Sequence, residues 1–434
     1  MQMQDSGKSV FANKWVQLAV GVVCMASVAN LQYGWTLFVA PLDAKHHWGR
    51  EAIQFAFTLF VLIETWLVPV EGYLVDRFGP RWVVLGGGAL IGGAWMLNSV
   101  ADSLALLYLG AVLGGIGTGC VYGTCVGNAI KWFQGRRGLA AGITAAGFGA
   151  GAALTIVPIS NMIKSAGYEH AFMFFGMVQG AIVLVMAWGL MAAPQQSQDK
   201  ARVAQSARDY APKEVLRTPV FWVLYLMFVL IAAGGLMMAA SLGPIAKDFK
   251  IDGVAVTLLG FTLPALTFAI SLDRVFDGFG RPFFGWLSDR IGRESTMFLA
   301  FTIGAVALFL LGQIGSHPVA FVLLTATYFL VYGEIFSLFP ATQGDTFGSK
   351  FAAANAGMLY TAKGTGALLV PIAAAVAHSR GWAAVFDVAM IFNAVAALLA
   401  VLVLKPMRAR HMARTEALAD KVVGVAANLG ANNR

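Results

Sequence analysis

Charge is scarce in this chain. Asp, Glu, Lys and Arg together make up 12% of its 434 residues, about half the share of a typical soluble domain. That scarcity argues against a soluble globular protein. Cysteine is scarcer still. Cys24, Cys120 and Cys125 all lie in apolar runs, which gives neither a metal-ligand spacing nor a disulfide framework. A phosphate loop is missing too, and this disfavours an ATP-driven pump. The run "GGIGTG" at 114–119 has Cys120 where a dinucleotide fingerprint needs its third glycine. Its four-residue spacing through Gly119, Gly123 and Gly127 suits close packing of helices in lipid instead. The charges at depth have no His or Cys partners, so no enzyme is expected, nor any metal.

What the chain has in abundance is hydrophobic sequence, 58% of residues. A helix of about 20 apolar residues crosses the hydrocarbon core. Twelve such spans are expected, at 15–40, 52–74, 82–101, 104–131, 138–163, 170–193, 218–245, 256–286, 296–314, 318–343, 352–377 and 383–404. The eighth is too long for a straight crossing, and Pro264 is expected to kink it or mark its outer start. A polar start running to Lys14 leads into a full-length span, so no cleavable leader is expected. With the N-terminus inside, 21 of the 30 Lys and Arg residues fall on the cytoplasmic side and six outside. The net charge of +8 is therefore a topology signal rather than a nucleic-acid footprint, and both termini are expected in the cytoplasm. The polar stretch around 195–217 reads as a cytoplasmic linker between six-span halves at 1–194 and 218–405, followed by a basic tail at 406–434.

The halves repeat. "GYLVDRFGPRW" (72–82) returns as "GWLSDRIGRES" (285–295), "VYG" at 121–123 returns at 331–333, and "TAAGFG" (144–149) returns as "TAKGTG" (361–366). The offsets are 213, 210 and 217 residues. Parallel repeats place a transport path between the halves, near the midplane. The duplicated G-x-x-x-D-R-x-G-x-R loop resembles that of the major facilitator superfamily. The resemblance implies an all-α membrane fold of twelve helices in two pseudo-symmetric halves. It also implies a latch on the cytoplasmic face, with Asp76, Arg77 and Arg81 in one copy and Asp289, Arg290 and Arg293 in the other.

Three basic residues lie within spans: Arg274, Arg281 and Lys363. Charges at such depth face a bundle interior or a water-filled cavity and mark substrate paths. Arg281 stands eight residues before Asp289, and Lys363 thirteen after Lys350, or about 12 and 20 Å along a helix. A structural pair of Lys363 with Glu334 is the competing reading. The repeat partner of Lys363 is Ala146, so the cationic site belongs to one half, as suits an anion held at the interface. Tyr122, Phe148, Tyr332, Phe336 and Tyr360 fall near these cations in the repeat frame.

Further runs extend the resemblance over nearly the whole chain: "NLQYGWTLF" (30–38), "GTGCVYG" (117–123), "RGLAAGITAAGFG" (137–149), "LRTPVFW" (216–222), "RPFFGWLSDRIGR" (281–293) and "YTAKGTG" (360–366). With these the sequence is similar to the oxalate:formate antiporter family. The resemblance implies that Arg281 and Lys363 each take one carboxylate of oxalate. It implies a lining of Gln32, Tyr33, Gln54, Tyr122, Phe148, Tyr332, Phe336 and Tyr360. Phe148 and Phe336 stand where that family has hydroxylated rings, and Tyr332 and Tyr360 where it has indoles. No cofactor is implied. The expected protein is a monomeric exchanger of small carboxylates in a bacterial inner membrane. This chain adds Asp273, Arg274, Asp277 and Glu334 within spans. Asp277 and Arg281 stand i,i+4 on one helix face. That D-x-x-x-R-P pattern is similar to proton-coupled monocarboxylate transporters, where a carboxylate beside a cation trades a proton for an incoming anion.

Overall fold

A computed structural model describes residues 10–194, 203–206, 208–258, 260–370, 376–377 and 379–417. The first half runs α1 (Lys14–Val28), α2 (Asn30–Tyr33), α3 (Thr36–His46), α4 (Arg50–Trp66), α5 (Val68–Phe78), α6 (Pro80–Ser99), α7 (Leu104–Trp132), α8 (Arg137–Ala166) and α9 (Tyr168–Gly189). The second runs α10 (Pro212–Val215), α11 (Pro219–Asp248), a hairpin of β1 (Ala255–Leu258) and β2 (Phe261–Pro264), α12 (Ala265–Ile291), α13 (Arg293–Ile314), α14 (Pro318–Tyr332), α15 (Ile335–Phe347), α16 (Ala352–Ala367) and α17 (Trp382–Leu398). Pro80, Pro212, Pro219 and Pro318 each open a helix. There the missing N–H removes nothing and the fixed φ suits the first turn.

Among the described residues nine helices are long and apolar enough to cross a membrane, or ten if α4 and α5 are one span bent by 44°. Two further expected spans correspond to α12, whose charges set it apart, and to α16, whose expected continuation at 371–375 lies outside the described residues. The expected first span is divided: α1 and α2 end at Tyr33, and α3 begins separately at Thr36. The eighth starts late because residues 255–264 pair as the hairpin, and Pro264 caps α12. Large apolar side chains such as Leu154, Val185, Val275 and Leu402 point outward at 65–73% exposure, as a lipid-facing surface requires.

The repeat is visible in the backbone. Gly79 joins α5 to α6 and Gly292 joins α12 to α13, with φ of +86° and +94°; glycine alone enters that region without strain. Within the halves, α6 packs on α7 and α9, and α13 packs on α14 and α17. Between them, α8 packs on α12 and α5 on α16. These are equivalent seams with the halves exchanged.

The described part of the 195–217 stretch docks rather than hanging free. Gln205 donates both to the Gln134 carbonyl in the first half (2.5 Å) and to Asp345 in the second (2.9 Å). Asp209 accepts from the Ser349 and Lys350 amides. The final helix passes the expected boundary at 405 and continues to Ala417. Within it Arg408 meets Glu294 at 2.7 Å and Thr346 at 2.8 Å.

Candidate functional site

Arg281 is 2% exposed, on the face of α12 turned to α8. Its Nη2 donates to Asp277 at 2.7 Å, one turn earlier, and its Nη1 to the Ala145 carbonyl of the opposite half at 2.8 Å. The approach is close because residue 142 is glycine: a Cβ there would lie 2.3 Å from the Arg281 carbonyl oxygen. Lys363 is 5% exposed on α16 and donates to the Tyr360 hydroxyl at 3.0 Å. Its ion-pair partner is Glu64 of α4, at 3.7 Å. The pair with Glu334 that the competing reading offered does not form. Glu334 caps α15, fully buried, and its carboxylate accepts no hydrogen bond among the described residues.

One ring serves both cations. The Phe336 centroid lies 4.5 Å from the Arg281 guanidinium carbon and 6.0 Å from Lys363 Nζ, within the range of cation–π attraction. Around it the aromatics form an unbroken chain of contacts. Tyr33 meets Phe148 (5.4 Å), Phe148 meets Tyr122 (5.7 Å), Tyr122 stacks on Tyr360 (4.7 Å), Tyr360 meets Phe336 (6.4 Å) and Phe336 meets Tyr332 (5.9 Å). So six of the eight expected lining residues come together, drawn from both halves. Gln32 stands next to Tyr33, and its side-chain oxygen is buried without a hydrogen-bond partner among the described residues. Gln54 is not brought in: it is exposed on α4, ten residues before Glu64, about 15 Å along the helix. Arg274 is exposed, with its guanidinium 5.8 Å from both the Tyr33 and Phe329 rings. Asp273 is buried one turn before Asp277.

The duplicated loops act through their acids. Asp76 is bonded to Lys131 at 2.5 Å and accepts the Ala354 amide at 3.1 Å, in the first turn of α16. Asp289 accepts the Gly138 and Leu139 amides (3.1 and 2.9 Å) in the first turn of α8. Each half thus caps a helix of the other, and an anion at a helix N-terminus satisfies free N–H groups and the dipole together. Arg293 joins in: it pairs with Asp289 (2.7 Å) and Asp345 (2.8 Å), and Asp345 also takes Arg137 at 2.9 Å. The other expected bases lie elsewhere. Arg77 lies over Phe78, Arg290 over Trp286, and Arg81 donates to the Leu190 carbonyl in its own half. Lys131, Arg137, Asp345 and Glu64 are the partners that the sequence reading missed. Only Glu64 carried a local signal, an acid inside the apolar run "FVLIETWLVPV".

Two repeated helical halves around a buried aromatic and cationic site have the architecture of a membrane transporter. The Major Facilitator Superfamily profile matches residues 22–277 and 259–427, and the chain belongs to that superfamily. It is 35% identical over 411 residues to the oxalate:formate antiporter of Oxalobacter formigenes, covering 94% of this chain and 96% of that one. The resemblance read from the sequence motifs is thereby borne out. It is 27% identical to mouse monocarboxylate transporter 11, over 67% of this chain and 65% of that protein. The human organic anion transporter MFSD10 shares the fold with a TM-score of 0.67 at 14% identity, covering 92% of this chain and all of that structure.

Proposed function

We propose that this transporter exchanges small carboxylates by alternating access, oxalate inward for formate outward. The observation that carries the reading is the pair of buried cations, Arg281 and Lys363, both beside the Phe336 ring. Oxalate is a dianion and presents one carboxylate to each cation. Formate presents one carboxylate in all and leaves more readily. The Oxalobacter relative is named for this exchange. In this reading the chain crosses a bacterial inner membrane twelve times as a monomer, α12 and the α16 segment included, with both termini in the cytoplasm. Its two halves divide at the 195–217 stretch. The acid caps on α8 and α16 close the cytoplasmic face while the site faces outward. The cycle runs on the two substrate gradients. Its partners are the carboxylates and the bilayer, without nucleic acid.

A second reading has its own observation. Asp277 holds Arg281 at 2.7 Å, so an incoming anion must compete with a carboxylate already in place. A proton on Asp277 would release the guanidinium, which is the logic of proton-coupled monocarboxylate symport. The deciding experiment is uptake of labelled oxalate into proteoliposomes with and without internal formate. Uptake that requires internal formate supports exchange. Uptake into carboxylate-free vesicles driven by external acid supports symport.

A further inference from the structure

Each buried cation already has a carboxylate of the protein beside it: Asp277 on Arg281 and Glu64 on Lys363. The two pairs are unequal. Asp277 and Arg281 share α12 and are hydrogen-bonded at 2.7 Å. Glu64 and Lys363 come from opposite halves and stand 3.7 Å apart, beyond hydrogen-bond reach. Both oxygens of Glu64 are buried without a hydrogen-bond donor among the described residues. Glu71, seven residues on, is also buried, and its carboxylate meets no N–H or O–H donor among the described residues. Glu64 therefore has another buried acid on its own span and one cation across the interface. A buried carboxylate with so few donors is poorly held.

The backbone around it is nevertheless close-packed. A Cβ at Gly364 would lie 2.6 Å from the Thr65 hydroxyl and 2.4 Å from Trp66 Nε1. The last turn of α4 thus rests against α16 beside Lys363. Glu64 is delivered to the cation by two packed helices, while its own carboxylate stays loose.

We infer that Glu64 is a specificity-determining residue: it stands in for a substrate's second carboxylate on Lys363, and a dicarboxylate loads by displacing it. The inference rests on the carboxylate reading above. A monocarboxylate engages Arg281, whose Nε is buried without an acceptor among the described residues, and leaves the Glu64–Lys363 pair in place. A dicarboxylate replaces Glu64 on Lys363. The pair thus selects between the two substrate classes and helps expel the dianion, because Glu64 returns as oxalate leaves.

The test uses the full-length protein in nanodiscs, with oxalate and acetate as probes in calorimetric titration. Glu64→Gln keeps the size and removes the competing charge. Oxalate should bind about tenfold tighter or more, and acetate should change by less than about threefold. In exchange assays KM for oxalate and the maximal rate should fall together. The effect should vanish when Lys363→Gln is already present, since no cation is then contested. Glu64→Asp retracts the charge by one methylene and should give a smaller shift in the same direction, so it serves if Glu64→Gln fails to fold. Equal shifts for both ligands, weaker oxalate binding, an effect that persists without Lys363, or failure of both variants to fold would overturn the inference and leave the carboxylate reading standing. An unmutated protein that binds neither ligand would overturn that reading and this inference with it.

Discussion

Replacing Arg281 with lysine keeps the charge and removes the geometry, which makes it a test of how the site holds a carboxylate. The guanidinium serves three partners at once: Asp277 at 2.7 Å, the Ala145 carbonyl at 2.8 Å and the Phe336 ring at 4.5 Å. A lysine ammonium is a compact point charge on a flexible stem and cannot hold a planar fork in that arrangement. One charge-assisted hydrogen bond is worth about 1.5–3 kcal/mol, and loss of ring contact adds roughly 0.5–1 kcal/mol. The combined loss of about 2–4 kcal/mol corresponds to oxalate binding weaker by about 30- to 1,000-fold. Calorimetric titration of purified, monodisperse Arg281→Lys protein measures this directly, and exchange in proteoliposomes should fall in parallel. Binding within about threefold of the unmutated protein, at unchanged thermal stability, would show that the guanidinium does not hold substrate.

Lys363→Gln removes the cation that a second carboxylate requires, so oxalate exchange should fall at least about tenfold while formate or acetate exchange loses less; equal losses in radiolabel assays would count against one cation per carboxylate. Asp277→Asn should leave oxalate:formate exchange running with altered affinity, and acid-driven net uptake should be absent even before mutation. Robust net uptake into carboxylate-free vesicles by the unmutated protein, abolished by Asp277→Asn, would reverse that assignment. Asp289→Asn takes the negative charge off the first turn of α8 and from Arg293, a loss of about 1–3 kcal/mol to the seal. A cysteine at position 139, with the three native cysteines removed, should then react faster with a polar thiol reagent; an unchanged rate would remove Asp289 from the seal.

Features that depend on local pattern were legible in the sequence. The repeat offset found from "DRFGPR" and "DRIGR" reappears as matched positive φ at Gly79 and Gly292, because a glycine between two helices is a local requirement. The Asp277–Arg281 pair follows from i,i+4 spacing and is formed. The aromatic set was found by position in the repeat and by resemblance, and six of its members touch. What failed depended on contacts far apart in the chain. Asp76 meets an amide 278 residues away and Asp289 one 151 residues away, and no local pattern marks a helix N-terminus in the other half as the partner. Arg77 and Arg290 share one position of the motif and were grouped with Arg293 as latch bases, but they are exposed and lie beside Phe78 and Trp286. The competing reading offered Glu334 as the acid for Lys363; both Glu64 and Glu334 are acids inside apolar spans, and only the packing of α4 on α16 distinguishes them.

In the proposed cycle the two interdomain caps form the seal and the buried cations the site, and the two are joined by the same helices. Arg281 and Asp289 lie on α12 eight residues apart, about 12 Å along one rod. Asp289 holds α8, whose Ala145 carbonyl also receives Arg281. Lys363 lies on α16, and the first turn of that helix is held by Asp76. Each cation therefore shares a rigid element with one of the two interdomain caps. The asymmetry is confined to the side chains at depth: Lys363 has Ala146 as its repeat partner, while the caps are equivalent in both copies. A carrier whose halves rock about a fixed site needs equivalent contacts on both sides of the seam, so that neither half is strained when the face opens. It needs no such symmetry in the cargo site, where one half can supply the charge and the other the enclosing surface. Glu64 is the exception that crosses this division. It places an acid of the first half 3.7 Å from a cation of the second, and in the proposed cycle, where the halves separate, occupancy of Lys363 would depend on how they are arranged.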